Sequence, residues 1–209
     1  MPSILLVDDH DLIREGLKHI LAKQFPSARI TEAGNAEDAI KKVSKAKFDL
    51  VISDLTMPGR GGLDVVRQVK EIDPKLPVLI LSMHAEDEYA VRALKAGAAG
   101  YLNKTNGTTD IFKAIKMVLQ GRRYISPAVA ERLAENLEPH DSPPHSYLSD
   151  REFYVFKLIA EGKSVSAIAE QLSLGLTTVS THRARILKKM GLKTNADLTK
   201  YAVQYKLLD

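Results

Sequence analysis

The sequence predicts an α/β protein in two parts: a five-stranded, doubly wound parallel sheet, then a small all-α domain. Three observations carry this reading. Short apolar runs of β type recur five times between residues 3 and 102, separated by helix-period stretches, and that alternation builds a parallel sheet with helical crossovers. From residue 146 onward every periodic segment is helical. Between the two lies EPHDSPPHS, residues 138–146, whose three prolines and polar filling support neither helix nor central strand. The expected divisions are therefore 1–122 for the sheet domain, 123–145 for a linker and 146–209 for the helical domain.

Strands are expected near 3–8, 28–32, 49–54, 78–82 and 100–102. Leu12, Gly16, Leu17, Ile20 and Leu21 give the first helix its apolar face, and Ala39, Ile40 and Val43 the second. Val65, Val66 and Val69 mark the third, Tyr89, Ala90, Ala93 and Leu94 the fourth, and Ile111, Ile115, Val118 and Leu119 the fifth, over Asp110 to Gln120. Within the linker, SPAVAERLAENL has Pro127 at a first helical turn and Val129, Leu133 and Leu137 on one stripe, which reads as a short helix.

The strand ends carry the chemistry. The first strand runs into Asp8 and Asp9; FDLVISDLTMP delivers Asp54 to a Met-Pro-Gly turn; GYLNK ends in Lys104. If these strands are neighbours, three acids and one ammonium converge on one rim of the sheet. Three adjacent carboxylates cannot all stay ionised at neutral pH without a cation. A hard divalent ion is implied, and Mg2+ fits best because it takes carboxylate oxygens and bridges to phosphate. With Lys104 as a second positive charge, the rim suits a phosphoryl group arriving at Asp54, which then acts as a nucleophile and forms an aspartyl phosphate.

Asp8-Asp9, Asp54, Ser82 in LILSM and Lys104 in GYLNK together resemble the receiver domain of bacterial two-component response regulators, over roughly Pro2 to Arg122. The resemblance implies phosphotransfer from a sensor histidine kinase to Asp54, without enzymatic turnover. It implies Mg2+ held at Asp8, Asp9, Asp54 and Thr56, and a phosphate read by Ser82, Tyr101 and Lys104. Each residue alone is ordinary at a strand end; their joint order is specific.

The second domain opens at Ser149, since Ser149-Asp150-Arg151-Glu152 has capping-box spacing ahead of Val155, Phe156, Ile159 and Ala160, and the run stops at Gly162. Val165 to Leu172 forms a second helix, Ser173 to Leu176 a turn, and a third helix capped by Thr177 or Thr178 runs to Met190 and ends at Gly191. This is a helix-turn-helix signature. In the third helix Val179, Ile186, Leu187 and Met190 supply the buried face. Thr178, Ser180, Thr181, Arg183, Ala184, Lys188 and Lys189 are the candidate contacts to double-stranded DNA, short polar residues first and cations later. LSDREFYVFKLIAEGKSVSAIAEQLSLGLTTVSTHRARILKKMGLKTNADL is similar to the LuxR-type DNA-binding domain of NarL/FixJ response regulators. Two positions depart from that pattern: Ser180 stands where lysine is common and Asn195 where arginine is frequent.

Composition is consistent with this reading. The chain has no Cys, which excludes a disulfide scaffold. No apolar run reaches bilayer length, and MPSILLVDDHD turns acidic too early for a signal peptide, so a cytoplasmic location without membrane contact is expected. The net charge of +4 is uninformative, but Ser146 to Asp209 has ten Lys and Arg against six Asp and Glu. The combined expectation is a phosphorylation-dependent DNA-binding transcriptional regulator, with homodimer formation on phosphorylation or DNA binding implied by the resemblance. The competing readings are a phosphorylation-independent DNA-binding regulator with a vestigial acidic site, and a phosphohydrolase, which would want a second acid where Leu55 and Thr56 follow Asp54.

Overall fold

The structure is a computed structural model that describes residues 1–83, 88–105, 107–135 and 143–208. Leu137, residues 138–142 of the Pro-rich segment and Asp209 lie outside the described residues. The chain divides into two compact units, the first ending at Glu135 and the second beginning at Asn136.

The first unit is built on β1 (Ser3–Val7), β2 (Arg29–Ala33), β3 (Leu50–Asp54), β4 (Val78–Ser82) and β5 (Gly100–Asn103), all parallel in the order β2-β1-β3-β4-β5. The crossovers are α1 (Asp11–Gln24), α2 (Ala36–Val43), α3 (Gly62–Ile72) and α4 (Glu88–Lys95), and α5 (Thr108–Leu119) follows β5. Strand periodicity of two sorts the side chains. Ile4, Leu6, Leu50, Ile52, Leu79, Leu81 and Leu102 form one core with Leu21 of α1 and Ile111, Ala114, Ile115 and Val118 of α5. The alternate residues Leu5, Val7, Val51, Val78, Ile80 and Tyr101 are buried on the opposite face, the side of α2, α3 and α4. Burial on both faces explains why the strands read as continuous apolar runs.

Two expectations for this unit change. Leu12 is 84 % exposed and Gly16 is exposed as well; Leu21 and Leu17 pack into the sheet's core, and Ile13 and Ile20 are half-buried. That set keeps i, i+4, i+7, i+8 spacing, and Leu12 sits one helical step off it. Second, residues 123–135, expected as linker, belong to the first unit. Tyr124 N–H donates to the Ala99 carbonyl at 2.9 Å and pairs in parallel with Gly100, extending the sheet edge. Glycine is required at position 100, where a Cβ would lie 2.8 Å from the Tyr124 carbonyl oxygen. α6 (Pro127–Glu135) then packs against α4, with Val129 buried.

The second unit comprises a 3-10 turn (Pro144–Tyr147), α7 (Asp150–Ala160), α8 (Val165–Gln171), α9 (Leu176–Met190) and α10 (Asn195–Gln204). Both halves of the capping box form: Glu152 N–H donates to Ser149 Oγ, and Ser149 N–H to Glu152 Oε2 at 2.8 Å. α7 is buried from Glu152 to Ala160 and packs against α9 and α10. α9 starts earlier than Thr177 or Thr178 would set it. Its cap is Gly175, whose carbonyl accepts from Thr178 N–H and Val179 N–H, so both threonines lie inside the first turn. Among the described residues no helix is long and apolar enough to cross a membrane.

Candidate functional site

Sheet periodicity positions the acidic rim. On the face toward α1 and α5, Ile4 and Leu6 are continued by Asp8, Leu50 and Ile52 by Asp54, and Leu102 by Lys104, so three functional groups extend apolar stripes past the C-terminal edge of the sheet. Strand order reverses between β1 and β3, the switch point at which open α/β sheets hold ligands. Asp8 and Asp54 straddle it.

Lys104 Nζ lies 2.7 Å from Asp8 Oδ2 and 3.0 Å from Asp54 Oδ1. Asp54 Oδ1 also accepts from Leu55 N–H at 2.9 Å, and Asp8 Oδ1 from His10 N–H at 2.9 Å. One ammonium thus serves two carboxylates that are both almost fully buried. Burial is the largest influence on Asp54 and pushes its pKa up; Lys104 pulls it back, Asp8 pushes it up again, and the result is about 6 against an ordinary 3.8. Burial works against the Lys104 ammonium, but Asp54 and Asp8 outweigh it and hold its pKa above the usual lysine value.

The same geometry fits a divalent ion. Oxygens of Asp8, Asp9 and Asp54 and a ring nitrogen of His10 all lie within 4.8 Å of one another. Asp9 Oδ1 is buried without a hydrogen bond, with His10 Nδ1 3.2 Å away at the wider range of an ion pair. A buried carboxylate oxygen without a hydrogen bond is costly, and a hard cation would satisfy it. Thr56, expected at the metal, is half-buried two residues after Asp54.

Ser82 and Tyr101 stand elsewhere. Register pairs Ile80 with Tyr101 and Ser82 with Asn103, so Ser82 and Tyr101 belong to the face opposite Asp54 and Lys104, and both are buried. Ser82 is tied to the rim through its carbonyl, which accepts from Lys104 N–H at 2.6 Å. Gly62 escaped sequence reasoning, because the Gly61-Gly62 pair reads as turn punctuation and carries no sign of which backbone it approaches. A Cβ there would lie 2.2 Å from the Asp54 carbonyl oxygen, and Gly62 N–H donates to the Leu55 carbonyl at 2.8 Å. The start of α3 therefore braces the backbone of Asp54.

In the second unit, the buried stripe of α9 is Val179, Ile186 and Met190, and Arg183 falls within it at i+4 from Val179. Arg183 is half-buried and its Nε donates to Asn195 Oδ1 of α10 at 2.6 Å. The exposed stripe consists of Thr177, Ser180, Thr181, Ala184 and Lys188, flanked by Thr178 and by Arg185, an exposed arginine that the sequence reading passed over. Helical angle alone could have found it. Lys189, expected to face DNA, is instead engaged inward: its Nζ lies 2.6 Å from Glu152 Oε2 and 3.4 Å from the Tyr147 carbonyl. Burial works against the Glu152 carboxylate, but Lys189 and the capping bonds hold its pKa below the usual range. Between Arg151 and Arg185, partly buried His182 is pushed down in pKa, by burial first and then by those cations.

Comparison with known proteins agrees with both halves. Residues 4–116 match the response regulator receiver domain, and residues 146–202 match the bacterial regulatory proteins of the luxR family. The response regulator GacA of Pseudomonas aeruginosa is 37 % identical over 100 % of this chain and 99 % of its own length. UvrY of Escherichia coli is 34 % identical over 99 % and 96 %. Among solved structures, a LuxR-family two-component response regulator from Aurantimonas aligns with TM-score 0.60 and 36 % identity over 65 % of this chain and 97 % of that one. The response regulator RcsB in complex with DNA aligns with TM-score 0.59 and 25 % identity over 97 % and 98 %. A receiver fold with its acidic rim, a helix-turn-helix unit and full-length relatives of the same order lead to one assignment: the chain belongs to the NarL/FixJ response regulators, phosphorylation-dependent DNA-binding transcription regulators with a luxR-family effector domain.

Proposed function

We propose that Asp54 accepts a phosphoryl group from the phosphohistidine of a sensor kinase, and that this modification controls DNA binding by α9. The observation that carries the reading is the single Lys104 ammonium held between Asp8 and Asp54 beside a buried, undonated Asp9 oxygen. Asp54 Oδ1 carries both the Lys104 and Leu55 contacts, so Oδ2 is the nucleophile. As Oδ2 bonds to phosphorus, the bond from phosphorus to the kinase imidazole breaks and its electrons stay with the ring. Asp8, Asp9, Asp54 and the Thr56 segment would hold Mg2+, which would supply the charge that lets these carboxylates stay ionised and would offset charge on the phosphoryl oxygens. Lys104 swings its ammonium from Asp54 to the incoming phosphoryl oxygen while keeping Asp8. No turnover is required of such a site.

The modified Asp54 then acts on Ser82 through Lys104, whose backbone N–H donates to the Ser82 carbonyl at the end of β4. That shift biases the face formed by β4, α4, β5 and Tyr101. On the output side, Thr178, Ser180, Thr181, Ala184, Arg185 and Lys188 enter the major groove, and two protomers occupy paired half-sites; RcsB, a solved relative, binds DNA as dimers. A cytoplasmic location follows from this role. The experiment is intact-mass analysis after incubation with a small phosphodonor and Mg2+. One added phosphoryl group is expected on the wild type and none on Asp54→Ala; undiminished labelling of the variant places the acceptor elsewhere.

A further inference from the structure

The end of the sheet opposite Asp54 carries a second concave feature that phosphotransfer does not use. A cleft of about 320 Å³ opens beside the N-terminal ends of β3, β4 and β5. Its rim holds Lys70, Lys75, Arg122 and Arg123 against a single carboxylate, Asp49. The volume lies in the range of small-molecule sites.

Charge in this cleft is left uncompensated. Asp49 spends one oxygen on Ser3 N–H at 2.7 Å. Among the described residues no ion pair engages Lys70, Lys75, Arg122 or Arg123. Lys70 donates to the Pro74 carbonyl at 3.1 Å and the Leu76 carbonyl at 2.8 Å, which leaves one of its three donors open. The bland alternative is that these cations only offset the C-terminal ends of α3 and α5. Those ends supply roughly half a negative charge each. Together with Asp49, and with Asp73, whose carboxylate acts on Lys70 and accepts from Lys75 N–H, they leave about one positive charge unmatched, and that surplus suits an anion. The lowered pKa of Lys70, caused by burial and then by nearby Arg123 against the pull of Asp73, is consistent with that crowding.

The backbone that carries the two arginines is fixed, and Lys70 is seated. Arg122 N–H donates to the Met117 carbonyl at 3.0 Å after Gly121 turns with φ +77°, and the following Tyr124 is pinned to Ala99 on the sheet edge. Gly97 at φ +103° leaves room for Lys70, whose Cγ would lie 3.3 Å from a Cβ at that position. Ala98, Ala99 and Val118 give the cleft an apolar wall.

We propose that this cleft binds a small polyphosphate group, free or carried by a nucleotide, with Arg122 and Arg123 forking onto phosphate oxygens and Lys70 and Lys75 as point charges. The site is remote from the phosphoacceptor rim because the two lie at opposite strand ends.

The test uses full-length Asp54→Asn protein without added metal, which removes the acceptor carboxylate from consideration. Titration with inorganic tripolyphosphate by calorimetry should show saturable binding of one ion per chain, weakened at least tenfold by R122A/R123A and unchanged by Lys188→Ala on α9. ATP is the second probe: equal affinity shows that phosphate alone is read, and tighter binding, likewise lost in R122A/R123A, adds the apolar wall. Absence of saturation, equal loss with Lys188→Ala, or indifference to R122A/R123A would each overturn the proposal. So would a loss of operator affinity in R122A/R123A without any tripolyphosphate effect, which would assign the pair to DNA.

Discussion

Asp54→Asn should stabilise the metal-free protein at neutral pH. The carboxyl of Asp54 sits 6 % exposed, and its pKa rises from 3.8 to about 6 because burial and Asp8 together exceed the help from Lys104. That difference disfavours the charged form by about 3 kcal/mol. The sign follows from proton binding: between these two values the folded chain holds more proton than the unfolded one, so unfolding free energy falls as pH rises through about 4 to 6 and stays low above. Asparagine keeps the shape without the charge, and Lys104 retains Asp8 at 2.7 Å. The variant should therefore gain up to about 3 kcal/mol at pH 7.5 and nothing near pH 4, a shift of roughly 10 °C in the melting of the first unit. Differential scanning calorimetry in chelator, at several pH values, reads this directly. Adding Mg2+ should then raise the wild type by mass action more than the variant and narrow the gap. Equal melting temperatures at pH 7.5, or a gap that persists undiminished to pH 4, would refute the reasoning.

Lys188→Ala should weaken DNA binding across sequences and flatten the salt dependence by about one unit, read by anisotropy at several salt concentrations. Lys189→Met should instead lower the stability of the second unit by about 1 kcal/mol while leaving the salt slope intact, because its ammonium serves Glu152; an altered slope in chemical denaturation-matched samples would return Lys189 to the interface. Arg185→Ala should impair operator affinity more than Arg183→Ala, since only Arg185 lies on the exposed side of α9; the reverse ranking in a binding titration would mean the groove-facing side is misassigned. Gly62→Ala should cost at least about 2 kcal/mol of receiver stability and slow labelling of Asp54, and a variant that melts and labels as the wild type would show that the α3 brace is dispensable.

The sheet was legible because its signal is local: five buried parallel strands are uniformly apolar, and uniform runs stand out against amphipathic helices. Asp8, Asp54 and Lys104 were legible for the same reason, since each continues a strand's alternation by one step beyond the apolar stripe. What escaped depended on angle or on distant partners. Leu12 looked buried because it is apolar, yet its place on α1 turns it outward. Lys189 looked like a DNA cation because it follows Lys188, but its nearest acid is Glu152 of α7, far away in sequence. Residues 123–135 read as linker because the bridge between Tyr124 and Gly100 leaves no periodic trace in a single extended residue.

These placements change what the effector unit can do alone. With Lys189 paired to Glu152 and Arg183 turned toward Asn195, the exposed side of α9 has Arg185 and Lys188 as its cations. Each phosphate neutralised on B-DNA contributes roughly 0.9 to the logarithmic salt slope, so this helix supplies about two such units per protomer. That is a small electrostatic anchor. Binding by one copy would then be weak at physiological salt, whereas two copies linked on paired half-sites would make the second contact effectively intramolecular and raise affinity without any new residue touching DNA. On the proposed role, a receiver that changed only how readily two chains pair would have enough leverage to control operator occupancy, and the short polar side chains Thr178, Ser180 and Thr181 would be left to discriminate among bases once the pair had formed.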